Sequence, residues 1–372
     1  MKFKETDIAI VGAGSAGLSA AYQARLAGAK VLVLDENRLP GGQLFKQIHK
    51  FFGSHEHKAG TRGYVIGHQL LERVQEVGAE VWLEATVYGM EKDTSLGVIY
   101  NGENIVVHAK KVIIATGAKE NYMAFPGSTL PGVMGAGAAQ TMVNVNRVLP
   151  GEKIIMVGSG NVGLIVSYQL MQAGAEVLAI VEGAPTIGGY GVHAGKIRRA
   201  GVPIRVGHTI KRAYGDKKVE YVEIAAVDEK FQPIPGTEET YEADTVCLAV
   251  GLNPMTELLW MAGVEFCYIP AFGGHVPMHD EHMETSLPGL YVAGDVTGVE
   301  EASSAMEEGN LAGVAAAASL GLISEKEAEL QSAEIMRRLN TLRSGAFGER
   351  RRLSKEDQIS YMKEYKEKKE VQ

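Results

Sequence analysis

The chain has 372 residues, 45% of them hydrophobic and 22% charged, which fits globular domains and is long for a single core. Its net charge is −8, so it lacks the overall basic footprint that a nucleic-acid partner would require. Only two cysteines occur, Cys247 and Cys267, and there is no CxxC. That excludes a dithiol redox pair, a four-cysteine zinc site and a cysteine-ligated iron–sulfur cluster in this chain. Low cysteine usage fits a reducing cytoplasm, and no apolar run reaches membrane-spanning length. Lys2 and Lys4 precede an apolar, Ala-rich segment in the manner of a signal peptide, but the glycine pattern inside that segment favours a folded unit.

The stretch from Ile8 to Asp35 predicts strand, tight turn, helix and strand. Gly12 permits the turn, Gly14 lets a pyrophosphate approach the backbone, and Gly17 lets helix and strand pack closely. Ser15 and Ala16 open the helix, whose free N–H groups and positive dipole end suit phosphates. Asp35, followed by Glu36, ends the second strand, where a carboxylate accepts hydrogen bonds from ribose hydroxyls. Pro40-Gly41-Gly42-Gln43-Leu44 is a loop rich in breakers. The polar segment from His49 to Arg62 holds His49, His55 and His57, and its composition predicts a solvated or partner-facing loop rather than a metal site. Helical periodicity over Tyr64–Val77 stops at Gly78. The period then becomes two, predicting short strands at Val81–Val87, Gly97–Tyr100 and Asn104–His108, followed by a buried strand, Lys111–Gly117, that ends in the small residues Ala115-Thr116-Gly117.

A connector with Pro126 and Pro131 leads to a helix-compatible run, Ala136–Leu149. The opening pattern then repeats over Lys153–Glu182. Gly158, Gly160 and Gly163 take the three glycine positions, Asn161 and Val162 open the helix, and Glu182 ends the second strand. Two such units imply two nucleotide sites, and an acid at Glu182 favours free ribose hydroxyls, so NAD(H) or an adenine nucleotide over NADP(H). Arg198 and Arg199 could accommodate a 2′-phosphate. Pro185–Arg199, with Gly188, Gly189 and Gly191, reads as a mobile loop, and Cys247 as a small buried hydrophobe in an apolar strand. His275, His279 and His282 with Asp280, Glu281 and Glu284 tempt a metal reading, but nothing sets them on one helix face and no metal is expected. Leu290–Asp295 predicts an apolar strand ending in Gly294 and Asp295, followed by a small-residue helix over Glu300–Leu320. A buried carboxylate before a helix N-terminus suits a polyol and phosphates together, although Asp295 could equally be a local cap. From Ile323 the chain becomes charged and helix-forming, with a capping box at Ser324 and Glu327, an apolar stripe through Leu339 and a tail expected to be surface or oligomer contact.

In this order, GAGSAG with Asp35, Gly41-Gly42-Gln43-Leu44, Ala115-Thr116-Gly117, GSGNVG and Ala293-Gly294-Asp295 resemble the two-dinucleotide-binding-domain flavoproteins of the glutathione/thioredoxin reductase superfamily. The resemblance covers roughly Glu5 to Leu320 and departs from the disulfide reductases in lacking CxxC. It implies an α/β chain with two three-layer Rossmann-like domains, the second inserted into the first. The expected parts are residues 1–118 and 252–322 for FAD, 119–251 for NAD(H) or another nucleotide, and a helical tail at 323–372. It further implies that Gly42, Gln43 and Ala302 line FAD beside Thr116 and Gly117, that Asp295 meets the ribityl-phosphate region, and that Val87 meets the adenine through its backbone. Leu130-Pro131-Gly132-Val133 and the run Gly135–Thr141 resemble a narrower group, the nucleotide-binding subunits of heteromeric sarcosine oxidase, dye-linked proline dehydrogenase, opine oxidase and hydrogen cyanide synthase. That implies a partner that is itself a flavoprotein, with a small iron–sulfur protein as a further candidate, and an amine or amino acid oxidised on the partner. A stand-alone NADH:acceptor reductase and a non-catalytic subunit holding a structural adenine nucleotide are the alternatives. No catalytic side chain is readable.

Overall fold

The computed structural model describes residues 2–370, which divide into two compact units. One comprises residues 2–119 with 253–370, the other Glu120–Leu252.

The first unit is built on a central sheet. Strand β1 (Lys2–Val11) lies parallel to β2 (Val31–Leu34), which pairs in parallel with β3 (Glu80–Trp82). On the other side of β1 runs the twelve-residue β6 (Glu103–Ile114), also parallel. The two runs read separately in the sequence, Asn104–His108 and Lys111 onward, are thus one strand. Its first half carries the antiparallel arm β5 (Leu96–Tyr100) and β4 (Thr86–Met90), and its second half pairs with Leu290–Val292. Alternate residues of β1 enter different cores. Ile8 and Ile10 pack against helices, whereas Ala9 and Val11 face the core that includes the arm. The helix face is formed by α1 (Ser15–Leu26) and α2 (Gly63–Glu76), together with helices that arrive after the second unit.

The second unit repeats the plan. Its five-stranded sheet runs Ile204–Val206, Glu176–Glu182, Lys153–Val157, Thr245–Leu248 and Val133–Gly135, all parallel. Helices α3 (Ala136–Asn144), α4 (Asn161–Gln172) and α5 (Gly191–Arg199) cover one face. An antiparallel sheet of His208–Tyr214, Tyr221–Ala226 and Glu239–Glu242 covers the other. Ile154 and Met156 point to the helices, Ile155 and Val157 to the antiparallel sheet. Strands buried on both faces read as continuous apolar runs, which is how KIIMV appears in the sequence.

The chain then returns to the first unit through α6 (Glu257–Ala262), the hairpin Phe266–Ile269 and Gly274–Pro277, and a 3₁₀ turn over Gly294–Thr297. Helix α7 (Ala302–Ser319) follows, then α8 (Glu325–Leu342) and α9 (Gly345–Glu370). Half of the expected capping box forms, with Ser324 Oγ accepting from Glu327 N–H at 3.3 Å. Among the described residues, no helix is long and apolar enough to cross a membrane.

Helices α1 and α7 pack backbone to backbone. A Cβ added at Gly309 would lie 2.0 Å from Ala16 O, and one at Gly313 2.4 Å from Ala20 O. The small-residue stripe of α7 is therefore a steric requirement of this crossing. Gly313→Val should force the helices apart and destabilise the protein by about 1–3 kcal/mol, as overpacking does. Urea unfolding followed by far-UV circular dichroism would register this as a lower midpoint; an unchanged midpoint would refute the close-packing account.

Candidate functional site

The glycine turn after β1 is a steric necessity. Gly12 has φ +111°, and a Cβ there would stand 2.3 Å from Ala115 O. A Cβ on Gly17 would meet Gly12 O at 1.8 Å. Helix α1 starts at Ser15 on Gly14 with no side-chain cap and no acid in its first turn, as an anion-binding helix end should. The Asp35 carboxylate, 7% exposed, grips this turn. Its Oδ2 accepts from Ala13 N–H at 2.6 Å, and its Oδ1 accepts from Asn37 N–H at 2.8 Å. Glu36 beside it is exposed.

Several distant motifs converge on this turn. Gly41 N–H donates to Ala13 O at 2.7 Å, and a Cβ on Gly42 would meet Gly14 Cα at 2.9 Å. Gln43 follows in a 3₁₀ turn and is exposed. Ala115 N–H donates to Val11 O, Thr116 Oγ1 to Met255 O at 2.7 Å, and Gly117 takes φ +77°. A Cβ on Gly294 would meet Ala16 Cβ at 2.8 Å and Ala305 Cβ at 3.5 Å, so the Gly294-Asp295 turn sits against α1 and α7. Ala302 is the first residue of α7. Val87 lies on β4, and Ala85 N–H, two residues before it, donates to Asp35 O at 2.8 Å and ties that segment to the strand end.

The second unit reproduces the construction almost atom for atom. Gly158 has φ +104°, and its Cβ would meet Ala249 O at 2.2 Å; that of Gly163 would meet Gly158 O at 2.1 Å. Glu182 Oε2 accepts from Ser159 N–H at 2.9 Å and Oε1 from Ala184 N–H at 2.9 Å. Helix α4 starts at Asn161 and Val162 on Gly160, again uncapped and without an acid in its first turn. The sequence reading missed how far the repeat extends. Gly41-Gly42 begins six residues after Asp35, and Gly188-Gly189 begins six after Glu182. Gly189 N–H donates to Ser159 O at 2.9 Å, Gly188 N–H to Ser159 Oγ at 3.1 Å and Tyr190 N–H to Asn161 Oδ1 at 2.8 Å. A Cβ on Gly189 would stand 2.7 Å from Leu164 Cδ1 and 3.0 Å from Asn161 N. The stretch read as a mobile loop is thus docked on the start of α4, and from Gly191 it is helix. Likewise Ala249-Val250-Gly251 echoes Ala115-Thr116-Gly117, with Gly251 at φ +101°. Equal spacing from the terminal acid was the signal that could have revealed the first, and the shared end of a buried strand in small residues the second.

One other expectation needs correction. His57 is not on a solvated loop: it is 4% exposed, and its Nε2 lies 2.9 Å from Glu307 Oε1. His279 is also buried, with Nδ1 2.8 Å from Asp280 O. Burial holds its imidazole down at about 4, so it is neutral at pH 7.

Charge around Asp295 is unusual. Burial pushes its carboxyl up to about 7; the Glu300 N–H bonded to Oδ1 at 3.2 Å opposes this, while Glu308, Glu300 and Glu301 add repulsion. Burial would also raise Glu307, but His57, Arg338 and Asn310 bond its carboxylate and hold it at about 2. Burial works against Glu308 too, and Lys355 and Arg343 outweigh it and keep that carboxyl below its usual range. The residues present fit an FAD-type ligand: an uncapped helix end beside glycines with no room for Cβ, and a buried carboxyl, Asp35, at the next strand end.

A family model for pyridine nucleotide-disulphide oxidoreductases matches residues 6–309. The chain belongs to this family. Within it, the chain is 31% identical over 335 residues to an opine oxidase subunit of Agrobacterium tumefaciens, covering 86% of this chain and 66% of that protein. It is 27% identical to the alpha subunit of sarcosine oxidase from Rhizobium meliloti, covering 85% of this chain but 31% of the relative. The chain therefore spans about two thirds of the first protein and one third of the second. Among solved structures, thioredoxin reductase of T. acidophilum superposes with a TM-score of 0.71 at 24% identity, covering 85% of this chain and 99% of that one. Family membership makes the chain a flavoprotein oxidoreductase, and its structure has α/β Rossmann-like sheets and a helical C-terminal region.

The shifted groups carry opposite pH signatures. Glu307 and Glu308 have lower pKa values folded than unfolded, so their stabilisation is present above pH 4.5 and is lost as pH falls toward 2. Asp295 is raised, so it favours the folded state below pH 3.8 and that contribution is lost as pH rises through 7. Asp295→Asn should accordingly raise the thermal midpoint of FAD-free protein most at pH 8, less at pH 5 and hardly at all below pH 3.8, while Glu307→Gln should flatten the acid limb between pH 4.5 and 2. Scanning calorimetry across pH checks both; an Asp295→Asn effect independent of pH would contradict the assignment.

Proposed function

We propose that the chain is the FAD- and nucleotide-binding subunit of a heteromeric amine or amino-acid dehydrogenase in the cytoplasm, relaying electrons between a partner's flavin and NAD(H) or another acceptor. The observation that carries this reading is the duplicated site in a chain without a usable thiol. Cys247 and Cys267 are buried and belong to different units, and burial pushes their thiols up to about 12 and about 11. Thiol–disulfide exchange needs a thiolate, so these residues cannot perform it at neutral pH. The relatives named as subunits, of opine oxidase and of sarcosine oxidase, support a partner-dependent role. A secondary amine or amino acid such as proline, hydroxyproline or sarcosine, oxidised on the partner, suits that role.

In the first site, Gly12, Gly14 and Gly17 with the start of α1 hold the pyrophosphate, Asp35 holds the adenosine ribose, and Asp295 accepts from the ribityl region. Thr116, Gly117, Gly42, Gln43 and Ala302 line the remainder, and Val87 approaches the adenine through its backbone. Bound FAD supplies the redox chemistry, and the protein supplies position and electrostatics. In the second site, Gly158, Gly160 and Gly163 bind phosphates and Glu182 binds a ribose. Its carboxylate repels a 2′-phosphate, which favours NAD(H) or an adenine nucleotide over NADP(H).

Copurification of the tagged chain with a second flavoprotein tests the heteromeric reading, and recovery of an active, stand-alone NADH reductase would sink it. Anaerobic mixing with NADH provides the second arm: fast bleaching of the flavin in the isolated chain marks the stand-alone enzyme. Chromatography of ligands released by denaturation should yield FAD plus NAD or an adenine nucleotide. Gly189→Val should remove the second nucleotide and leave FAD bound, because its side chain would collide with Asn161 and Leu164. Retention of both ligands by that variant would refute the second-site assignment.

A further inference from the structure

The last helices lie beyond the family match, which ends at residue 309, yet they place two cations deep inside the first unit. Arg343 follows α8 and is 7% exposed; Lys355 lies within α9 and is 3% exposed. Fully desolvated charges persist only when paired. Their partners flank the Asp295 turn. Arg343 Nη2 donates to Glu300 Oε1 at 2.7 Å and to Glu308 Oε1 at 2.5 Å. Lys355 Nζ lies 3.0 Å from Glu308 Oε1 and donates to Thr297 O at 3.1 Å, with a further bond to Thr297 Oγ1.

These partners hold the turn itself. Glu308 Oε2 accepts from Gly294 N–H at 2.9 Å and from Thr297 Oγ1 at 3.0 Å, and Glu300 N–H donates to Asp295 Oδ1. Lys355 Nζ also sits 5.0 Å from the centroid of the Phe272 ring. Gly298 packs on that same ring, where a Cβ would stand 2.4 Å from Phe272 Cγ. Gln358, one turn further along α9, donates from Nε2 to Pro277 O at 2.8 Å. The turn over Gly294–Gly298 is thus held from beneath by α9 and from its exit by Arg343. In charge, Glu300 and Glu308 balance Arg343 and Lys355. Without the two cations, two carboxylates would stand uncompensated beside Asp295, where an anionic ligand has to bind.

We propose that α8 and α9 are a built part of the first dinucleotide site, with Arg343 and Lys355 as positioning residues that fix the Gly294–Glu300 turn and neutralise the carboxylates around Asp295. The tail is then coupled to cofactor occupancy: FAD binding stabilises its docking, and its docking strengthens FAD binding. This rests on the reading that the first site holds FAD.

Hydrogen–deuterium exchange on the full chain, with the flavin removed and then restored by added FAD, tests the coupling without any substitution. FAD should slow exchange at 294–300 and, by at least tenfold, at 347–362. Slowing at 294–300 with no change at 347–362 overturns the tail proposal alone; failure of the chain to bind FAD overturns the first-site reading as well. A charge test complements it. Lys355→Met should weaken FAD binding at least tenfold in a fluorescence titration. The neutral pair Lys355→Met with Glu308→Gln, which keeps an acceptor for Gly294 N–H, should recover to within threefold of the parent. A folded Lys355→Met protein with parental affinity, or a double variant as weak as the single one, overturns the proposal.

Discussion

A single type of hydrogen bond sets the geometry of both sites: a carboxylate at the end of one strand accepting from a backbone N–H in the glycine turn of its neighbour. Asp35 takes the N–H of Ala13, and Glu182 takes that of Ser159. Each acid also takes an N–H two residues beyond itself, from Asn37 or Ala184. The turn, the start of the helix and the next loop are therefore positioned together. Gly12 and Gly158 have positive φ and no room for a Cβ, so the clamp and the glycine are parts of one device. Loss of either would disturb the helix end, where phosphate binding depends on the direction of the backbone N–H groups.

The helix face of the first unit obeys a related constraint. The Gly294-Asp295 turn reaches the glycine turn because Gly294 rests on Ala16, and α7 reaches α1 because Gly309 and Gly313 allow backbone contact. Closeness brings an electrostatic cost. Asp295 lies among Glu300, Glu301 and Glu308, and without compensation that cluster would be strongly anionic. Arg343 and Lys355 supply the compensation from beyond the matched family region. On the lateral side of α7, Glu307 meets His57 and Arg338 in the same manner. Neighbouring glutamates of one helix are thus satisfied by different parts of the chain.

This division explains what could be read beforehand. The glycine fingerprints, the terminal acids and the apolar strands were legible because their requirements are local: steric room within a few residues, or burial on both faces of a strand. The buried charges were not. Arg343 meets Glu300 across 43 positions, and His57 meets Glu307 across 250. A composition rule reads each as solvated, because Arg, Lys and Glu are buried only when paired and the pairing is invisible along the chain. Docking of Gly188-Gly189 on α4 falls between these cases. The glycines suggested freedom, and only their spacing from Glu182, matched to that of Gly41-Gly42 from Asp35, marks them as a second cradle.

The thiol arrangement limits what such a scaffold can do. A family member with two nucleotide sites can pass reducing equivalents to a nearby disulfide, to a small acceptor or to another protein. Here both cysteines are buried, with thiols too basic to ionise at neutral pH, so the first route is closed by electrostatics as well as by the missing CxxC. The two remaining routes make different demands on the surface. A small acceptor requires only access to the cofactor, whereas a protein partner requires a docking face and a redox centre of its own. The buried turns of the two units serve either route alike. A chain spanning only part of its curated relatives has the nucleotide-binding portion in hand, and the chemistry that consumes or supplies the electrons belongs, on the proposed reading, to whatever completes the assembly.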